Sequence, residues 1–267
     1  MKQISIRATI LTIALALYFF AGTLRAQSNL VANGSFEAGP LGQKQFTGWG
    51  WLGPADNNSN YGVTNSSSPP DVAEQGTNYA WFRGHPTDNS QDCLGTTVNL
   101  KLGALYNISY YLATDGPLTN GAAMWVVIGP SFGIDSEDIM LTAFFPNSAS
   151  ALPYQQFNVT YLATNTSPIL SFHGINATNG FSATNAILLD NVSMVLAYPP
   201  LNLGFSPPDL LVFTWPFTNS PYRLQSAASL TGASWVTLTN LPVNVGTNNE
   251  ILLPVSANTQ FFRLTLP

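Results

Sequence analysis

Short apolar or alternating runs, each closed by Asn, Gly, Pro or Ser, recur along most of the chain. They span 79–82, 96–100, 105–113, 122–128, 156–162, 169–172 and 187–197. Runs of this length, rich in Val, Ile, Tyr, Phe and Thr, predict the strands of a sandwich or barrel. Strong helical periodicity is missing beyond the amino terminus. The one stretch that reads as a helix is 135–145, which fits equally a loop followed by a strand. The expectation is an all-β protein.

A boundary falls near residue 200. Tyr198-Pro199-Pro200 and Ser206-Pro207-Pro208 bracket a stretch of little periodicity, and paired prolines stiffen a linker and cannot serve a central strand. Beyond it, runs at 210–215, 222–226, 235–239, 250–255 and 260–266 predict five short strands, with turns at Gly232 and at Gly246-Thr247-Asn248-Asn249. The expected layout is a large β-sandwich over 27–198, a Pro-rich linker over 199–208 and a small Ig-like or fibronectin-like β domain over 209–267.

The first residues predict export. Lys2 and Arg7 precede an apolar run from Ala8 to Gly22, and Thr23-Leu24-Arg25-Ala26 ends in a small residue before the chain turns polar at Gln27. That order is a secretory signal peptide over 1–26. The run is shorter than the roughly 20 apolar residues that a stable membrane span needs. Cleavage would leave about 240 of the 267 residues. It would also remove three of the eight Lys and Arg, leaving five against thirteen Asp and Glu. No basic surface for nucleic acid or anionic lipid follows from such a balance. Solubility rests on Asn, Ser, Thr and Gln.

Cys93 is the single cysteine, so no internal disulfide can form, and it reads as a small buried hydrophobe. Only His85 and His173 could serve as a base beside it, which argues against nucleophilic and His/Cys metal chemistry. Gly129-Pro130-Ser131-Phe132-Gly133 fits the Gly-x-Ser-x-Gly hydrolase elbow, and Asp135 or Asp138 and then His173 supply a Ser, Asp, His order. That elbow needs a strand, a turn and a helix in a parallel sheet, so a serine hydrolase through Ser131 is a remote alternative that requires Ser131 within hydrogen-bond reach of His173. Asp135, Glu137 and Asp138 lie on one short segment and cannot bracket a glycosidic bond as two opposed carboxylates must. They read as a solvated loop, as do Asp88 and Asp92, for which a second bound cation is the lesser alternative.

An ordered set of motifs remains. Asn33-Gly34-Ser35-Phe36-Glu37 opens it, Gly48-Trp49 and Glu74-Gln75-Gly76-Thr77-Asn78-Tyr79-Ala80 follow, and Leu188-Leu189-Asp190-Asn191-Val192 closes it. Over about residues 29–197 this set resembles the galactose-binding-like jelly rolls, above all the carbohydrate-binding modules of families 4, 9 and 22 and related plant and bacterial cell-wall domains. The last 60 residues resemble, by pattern alone, a small β domain found at the end of many exported proteins of environmental bacteria. The resemblance implies adjacent first and last strands, which lets Glu37 and Asp190 meet. It implies a structural calcium between them, with carbonyls near Gly76 and Asn78 as further ligands. Calcium takes six to eight oxygens. The alternative is that each carboxylate caps a turn and binds nothing.

The resemblance further implies a secreted or cell-surface, possibly periplasmic, protein that binds a neutral polysaccharide without acting on it. Sugar rings stack their C–H faces on aromatics and bond through their hydroxyls to amides and charged groups. Candidates are Trp51, Tyr61, Trp81 with Arg83, Tyr110 and Trp125, with Tyr154 behind them; Trp49 matches the family's structural Trp, and Asp56-Asn57-Asn58 could shape a rim. Alternation sets Tyr79, Trp81 and Arg83 on one face of their strand and Ala80 and Phe82 on the other. An Arg is rarely buried unpaired, which makes the first face the wet one. The competing reading is a structural or adhesive surface protein of the same fold with every Trp buried.

Overall fold

A computed structural model describes residues 28–43, 46–52, 61–68, 71–83, 92–118, 123–132, 139–144, 146–175, 185–217, 222–256 and 258–266. The expected signal segment, His85, Asp135, Glu137, Asp138 and the Asp56-Asn57-Asn58 rim lie outside these residues. In chain order the strands of the first part are β1 (Gly42–Gln43), β2 (Gly50–Leu52), β3 (Tyr61–Asn65), β4 (Ser67–Ser68), β5 (Asp71–Val72), β6 (Asn78–Phe82), β7 (Asp92–Thr97), β8 (Leu105–Thr114), β9 (Ala123–Gly129), β10 (Ile139–Phe144), β11 (Gln155–Leu162), β12 (Ile169–Ile175) and β13 (Ile187–Ala197). Those of the second part are β14 (Asn202–Ser206), β15 (Leu210–Pro216), β16 (Arg223–Ala227), β17 (Val236–Thr237), β18 (Val243–Val245), β19 (Asn248–Pro254) and β20 (Phe261–Thr265).

The protein is all-β. Two antiparallel sheets, ordered β1-β3-β6-β13-β8-β11 and β10-β9-β12-β7-β2, pack as a jelly-roll sandwich. The four-stranded sheet β14-β15-β19-β18 and the three-stranded sheet β17-β16-β20 follow. Alternation explains the layering. In β8, Tyr106, Ile108, Tyr110 and Leu112 point inward; from the facing sheet, Met124, Val126 and Ile128 of β9 and Leu170 and Phe172 of β12 meet them in one core. A smaller core joins Phe213, Trp215, Tyr222, Leu224, Ile251 and Leu264 of the second part. The Tyr222 hydroxyl donates to the Ala197 carbonyl at the end of β13 (2.8 Å).

β13 changes phase midway. Ile187 and Leu189 face the core, then Val192 and Met194 do. A bulge between Asp190 and Ser193 makes the switch, with Asn191 at a φ of +50°. The amino-terminal segment docks onto this bulge. The Leu30 N–H donates to the Met194 carbonyl (2.9 Å), the Val192 N–H to the Gly34 carbonyl (2.8 Å) and the Asn29 side-chain amide to the Val192 carbonyl (3.0 Å). A Cβ on Gly34 would run into the Val192 carbonyl, so only glycine fits there. Phe36 stacks on Trp49 (5.5 Å), and the Trp49 indole N–H donates to the Asn33 carbonyl (3.1 Å).

Of the helix and the strand that 135–145 allows, the strand is found, and the expected linker is corrected. Residues 139–144 form strand β10 against β9, and its register slips between Met140 and Thr142, which breaks the alternation that marks a strand. The stretch 199–208 is not all linker: β14 pairs with β15 from Asn202↔Thr214 to Ser206↔Leu210. It is an edge strand, exposed along most of its length, and its prolines lie just outside it.

Gly34→Ala should lower stability by about 1–3 kcal/mol, the usual cost of overpacking. A solvent-exposed control such as Gly232→Ala strains only its own turn, where nothing lies within 4 Å. Urea denaturation of both variants checks the difference.

Candidate functional site

The outer face of the six-stranded sheet carries a cleft. On β6, Ala80 and Phe82 point into the core, while Tyr79, Trp81 and Arg83 share the opposite face. The Arg83 guanidinium carbon lies 4.8 Å from the centre of the Trp81 ring. Thr64 and Ser66 from the β3 side, Leu188 of β13 and Asp115 after β8 complete a hollow of about 230 Å³. Tyr79 and Leu188 are its apolar floor, and they belong to a buried cluster with Ala113 and Ala186 against which Ala73, Trp81 and Tyr154 pack. The Arg83 Nε is buried with no hydrogen-bond partner in the protein. One cation and one anion line the hollow, so its formal charge is zero.

Trp81 and Arg83 are thus side by side, whereas the other expected ligand-binding residues are dispersed. Tyr61 and Tyr110 are corrected to core residues. Tyr61 stacks on Phe46 (5.7 Å) and Phe82 (6.4 Å), and Tyr110 lies flat on Phe157 (5.5 Å) and edge-on to Phe172 (5.3 Å). Burial holds the Tyr110 hydroxyl well above the ordinary tyrosine range. Trp51 is exposed on β2, the edge of the other sheet, tilted against Tyr61. Trp125 sits half-buried on the outer face of that other sheet, its Nε1 buried without a partner. Asp115, part of the cleft, is a residue that sequence reasoning missed, because Asp115-Gly116-Pro117 reads as a plain turn.

Glu37 and Asp190 both grip the 74–78 loop. Glu37 Oε1 accepts from the Thr77 and Asn78 N–H groups (both 2.8 Å) and its Oε2 from the Thr77 hydroxyl (3.1 Å). Asp190 Oδ2 accepts from the Glu74 (2.8 Å) and Gln75 (2.9 Å) N–H groups and its Oδ1 from the Asn191 N–H (2.6 Å). Burial pushes the Asp190 carboxyl up to about 7, against the pull of these three donors. Glu37, far more open, is lowered: desolvation, the largest single influence, is outweighed by the bonds to Asn78 and Thr77 taken together. Gly76, at a φ of +74°, leaves Glu37 the room that a Cβ would fill. These residues do not fit the expected calcium ion. Every carboxylate oxygen already faces a donor hydrogen, and a hard cation needs a shell of free oxygens. Among the described residues no group of three or more His, Cys, Asp or Glu gathers at one point.

Ser131 follows β9, but β9 runs antiparallel to both its neighbours, β10 and β12, so the parallel sheet that a hydrolase elbow needs is not there among the described residues. His173 Nε2 lies 2.8 Å from the Ser171 hydroxyl and 3.6 Å from Cys93 Sγ.

No family model matches the chain, and no curated protein does. Solved structures similar to it include a family 4 carbohydrate-binding module (19% identity, covering 62% of this chain and 99% of that one, TM-score 0.41). A family 61 module in complex with β-1,4-galactotriose is also similar (15%, 64% and 99%, TM-score 0.40). A third is the K1 cleaved adhesin domain of the Lys-gingipain of Porphyromonas gingivalis W83 (15%, 61% and 96%, TM-score 0.43).

Asp190→Ala should cost roughly 3 kcal/mol, since it leaves buried N–H groups unmet, and Glu37→Gln about 1 kcal/mol at its exposed position. A chelator should leave the thermal midpoint of the unaltered protein where it is. Thermal denaturation with and without calcium checks all three.

Proposed function

We propose that this chain binds a neutral polysaccharide in the Trp81–Arg83 cleft and performs no chemistry on it. The observation that carries this reading is the pairing of an indole and a guanidinium, 4.8 Å apart, over an apolar floor edged by Asp115, Thr64 and Ser66. The Trp81 ring offers a flat apolar face to a sugar's C–H groups. Arg83, Asp115 and the two hydroxyl residues offer donors and acceptors to its hydroxyls. The zero formal charge of the hollow suits an uncharged ligand. Export through the amino-terminal segment would bring the protein to such polymers.

A second reading, an adhesive surface protein, draws on the second part of the chain. Leu203, Phe205, Leu241 and Val243 are each more than 60% exposed there, as surfaces that meet other proteins often are.

Titration against a panel of neutral plant and algal polysaccharides, followed by tryptophan fluorescence and calorimetry, separates the two. One glycan class should saturate the protein, and Trp81→Ala should weaken that binding at least about tenfold, equivalent to about 1.4 kcal/mol. Trp51→Ala and Trp125→Ala should bind as the unaltered protein does. No binding to any glycan, or undiminished binding by Trp81→Ala, would overturn the cleft as the site.

A further inference from the structure

β14 is a sheet edge without the devices that ordinarily close one. Among the described residues it pairs on one side only, with β15. Edge strands usually carry a charge, a proline or a bulge that keeps other chains away. Asn202-Leu203-Gly204-Phe205-Ser206 has no charged residue and no proline, and its register with β15 runs unbroken over five pairs. Leu203 lies in one cross-strand row with Phe213 and Ile251, and Phe205 in one row with Leu211 and Leu253. Those rows belong to the smaller core, yet Leu203 and Phe205, at their outer end, are each 61% exposed.

We propose that a second copy of this chain covers this edge, β14 pairing antiparallel with the β14 of its partner about a two-fold axis at Gly204. The order of residues is the first argument. An antiparallel match centred on Gly204 sets Asn202 opposite Ser206, Leu203 opposite Phe205 and glycine opposite glycine. Polar meets polar and apolar meets apolar, twice over, as the contact of one patch with itself requires. The Leu203 and Phe205 pairs then join the smaller cores of the two copies across the seam.

The backbone is the second argument. Alternate residues of an antiparallel strand direct their N–H and C=O groups to the same side. A match centred on one residue joins positions of equal parity, so whichever alternate set faces outward finds its counterpart. Every residue from 202 to 206 keeps its N–H. Any other centre leaves some of the five unpaired, and Pro200 and Pro207 close off longer alternatives. Charge is the third argument. The chain is acidic overall, with a net charge of −5, but this strand carries none, so pairing sets no like charges opposite one another. The other edge of the same sheet offers less. β18 has three residues, between Pro242 and the left-handed Gly246, and Glu250 stands in the row of Val243.

An edge of five residues buries less than the roughly 1,200–2,000 Å² of a stable complex, so the association is weak and concentration-dependent. Sedimentation velocity of the purified protein, at concentrations rising to about 1 mM, should show a monomer passing into a closed dimer. Phe205→Lys should weaken the dimer at least about tenfold, because an edge lysine resists pairing. Val243→Lys, on an equally exposed position of β18, should dimerise as the unaltered protein does. Circular dichroism establishes that each variant is folded. Mild oxidation reads the register. A Cβ on Gly204 meets nothing nearer than 3.7 Å within the chain, so a cysteine fits there, and the native Cys93 is buried. Directly opposed residues have Cα atoms about 4.5–5.5 Å apart, within reach of a disulfide. Gly204→Cys should therefore crosslink at least about tenfold faster than Asn202→Cys, which faces Ser206 instead of its own copy. A monomer at every concentration, an open-ended series of oligomers, undiminished pairing by folded Phe205→Lys, or equal crosslinking of the two cysteine variants would overturn the pairing. None of these results bears on whether the Trp81 cleft takes a glycan.

Discussion

The sandwich depends on one bulge in its last strand. At Asp190 and Asn191, β13 shifts phase, and that shift turns the Val192 carbonyl and N–H toward the incoming amino terminus and the Asp190 carboxylate toward the 74–78 loop. Three stretches far apart in sequence therefore close on the same few atoms. Gly34 is needed because the Val192 carbonyl occupies the space beside it, and Gly76 because Glu37 does. The Asn-Gly-Ser-Phe-Glu and Asp-Asn-Val motifs are the two halves of this closure, which is why they read as a pair and mean little apart.

The same closure gives the carboxylates their partners. Buried charge is tolerable only when it is paired or hydrogen-bonded, and here backbone N–H groups do the work that a cation would do in a barer site. The opposite sheet shows a neutral counterpart, in which the Cys93 thiol donates to the Phe132 carbonyl (3.3 Å) and the Ser171 hydroxyl meets His173 Nε2 (2.8 Å).

Much of the fold was legible from alternation. Runs of period two in 105–113, 156–162 and 187–197 correspond to β8, β11 and β13. What failed did so for physical reasons. β10 carries a bulge, and β14 is an exposed edge hidden between prolines. At the site, the parity of 79–83 separated Trp81 and Arg83 from Phe82. The same parity sets Tyr110 with Ile108 and Leu112, and so inside, against the expectation that its ring stacks on a sugar. Tyr61 lies in a strand too short and too rich in Gly, Thr and Asn to display its pattern. Asp115 and the meeting of Cys93 with His173 depend on cross-strand register, which spacing along one chain does not encode.

β13 also has a mechanical meaning. It lies in mid-sheet, bonded to β6 on one side and β8 on the other, and it runs directly into the second part of the chain, whose Tyr222 hydroxyl holds its last carbonyl. Tension applied between the tail and the sandwich is carried along the axis of this strand. The ladder bonds on both its sides are then loaded together in shear instead of opening one after another, so the joint should resist drag far better than a peripheral strand that can be peeled away.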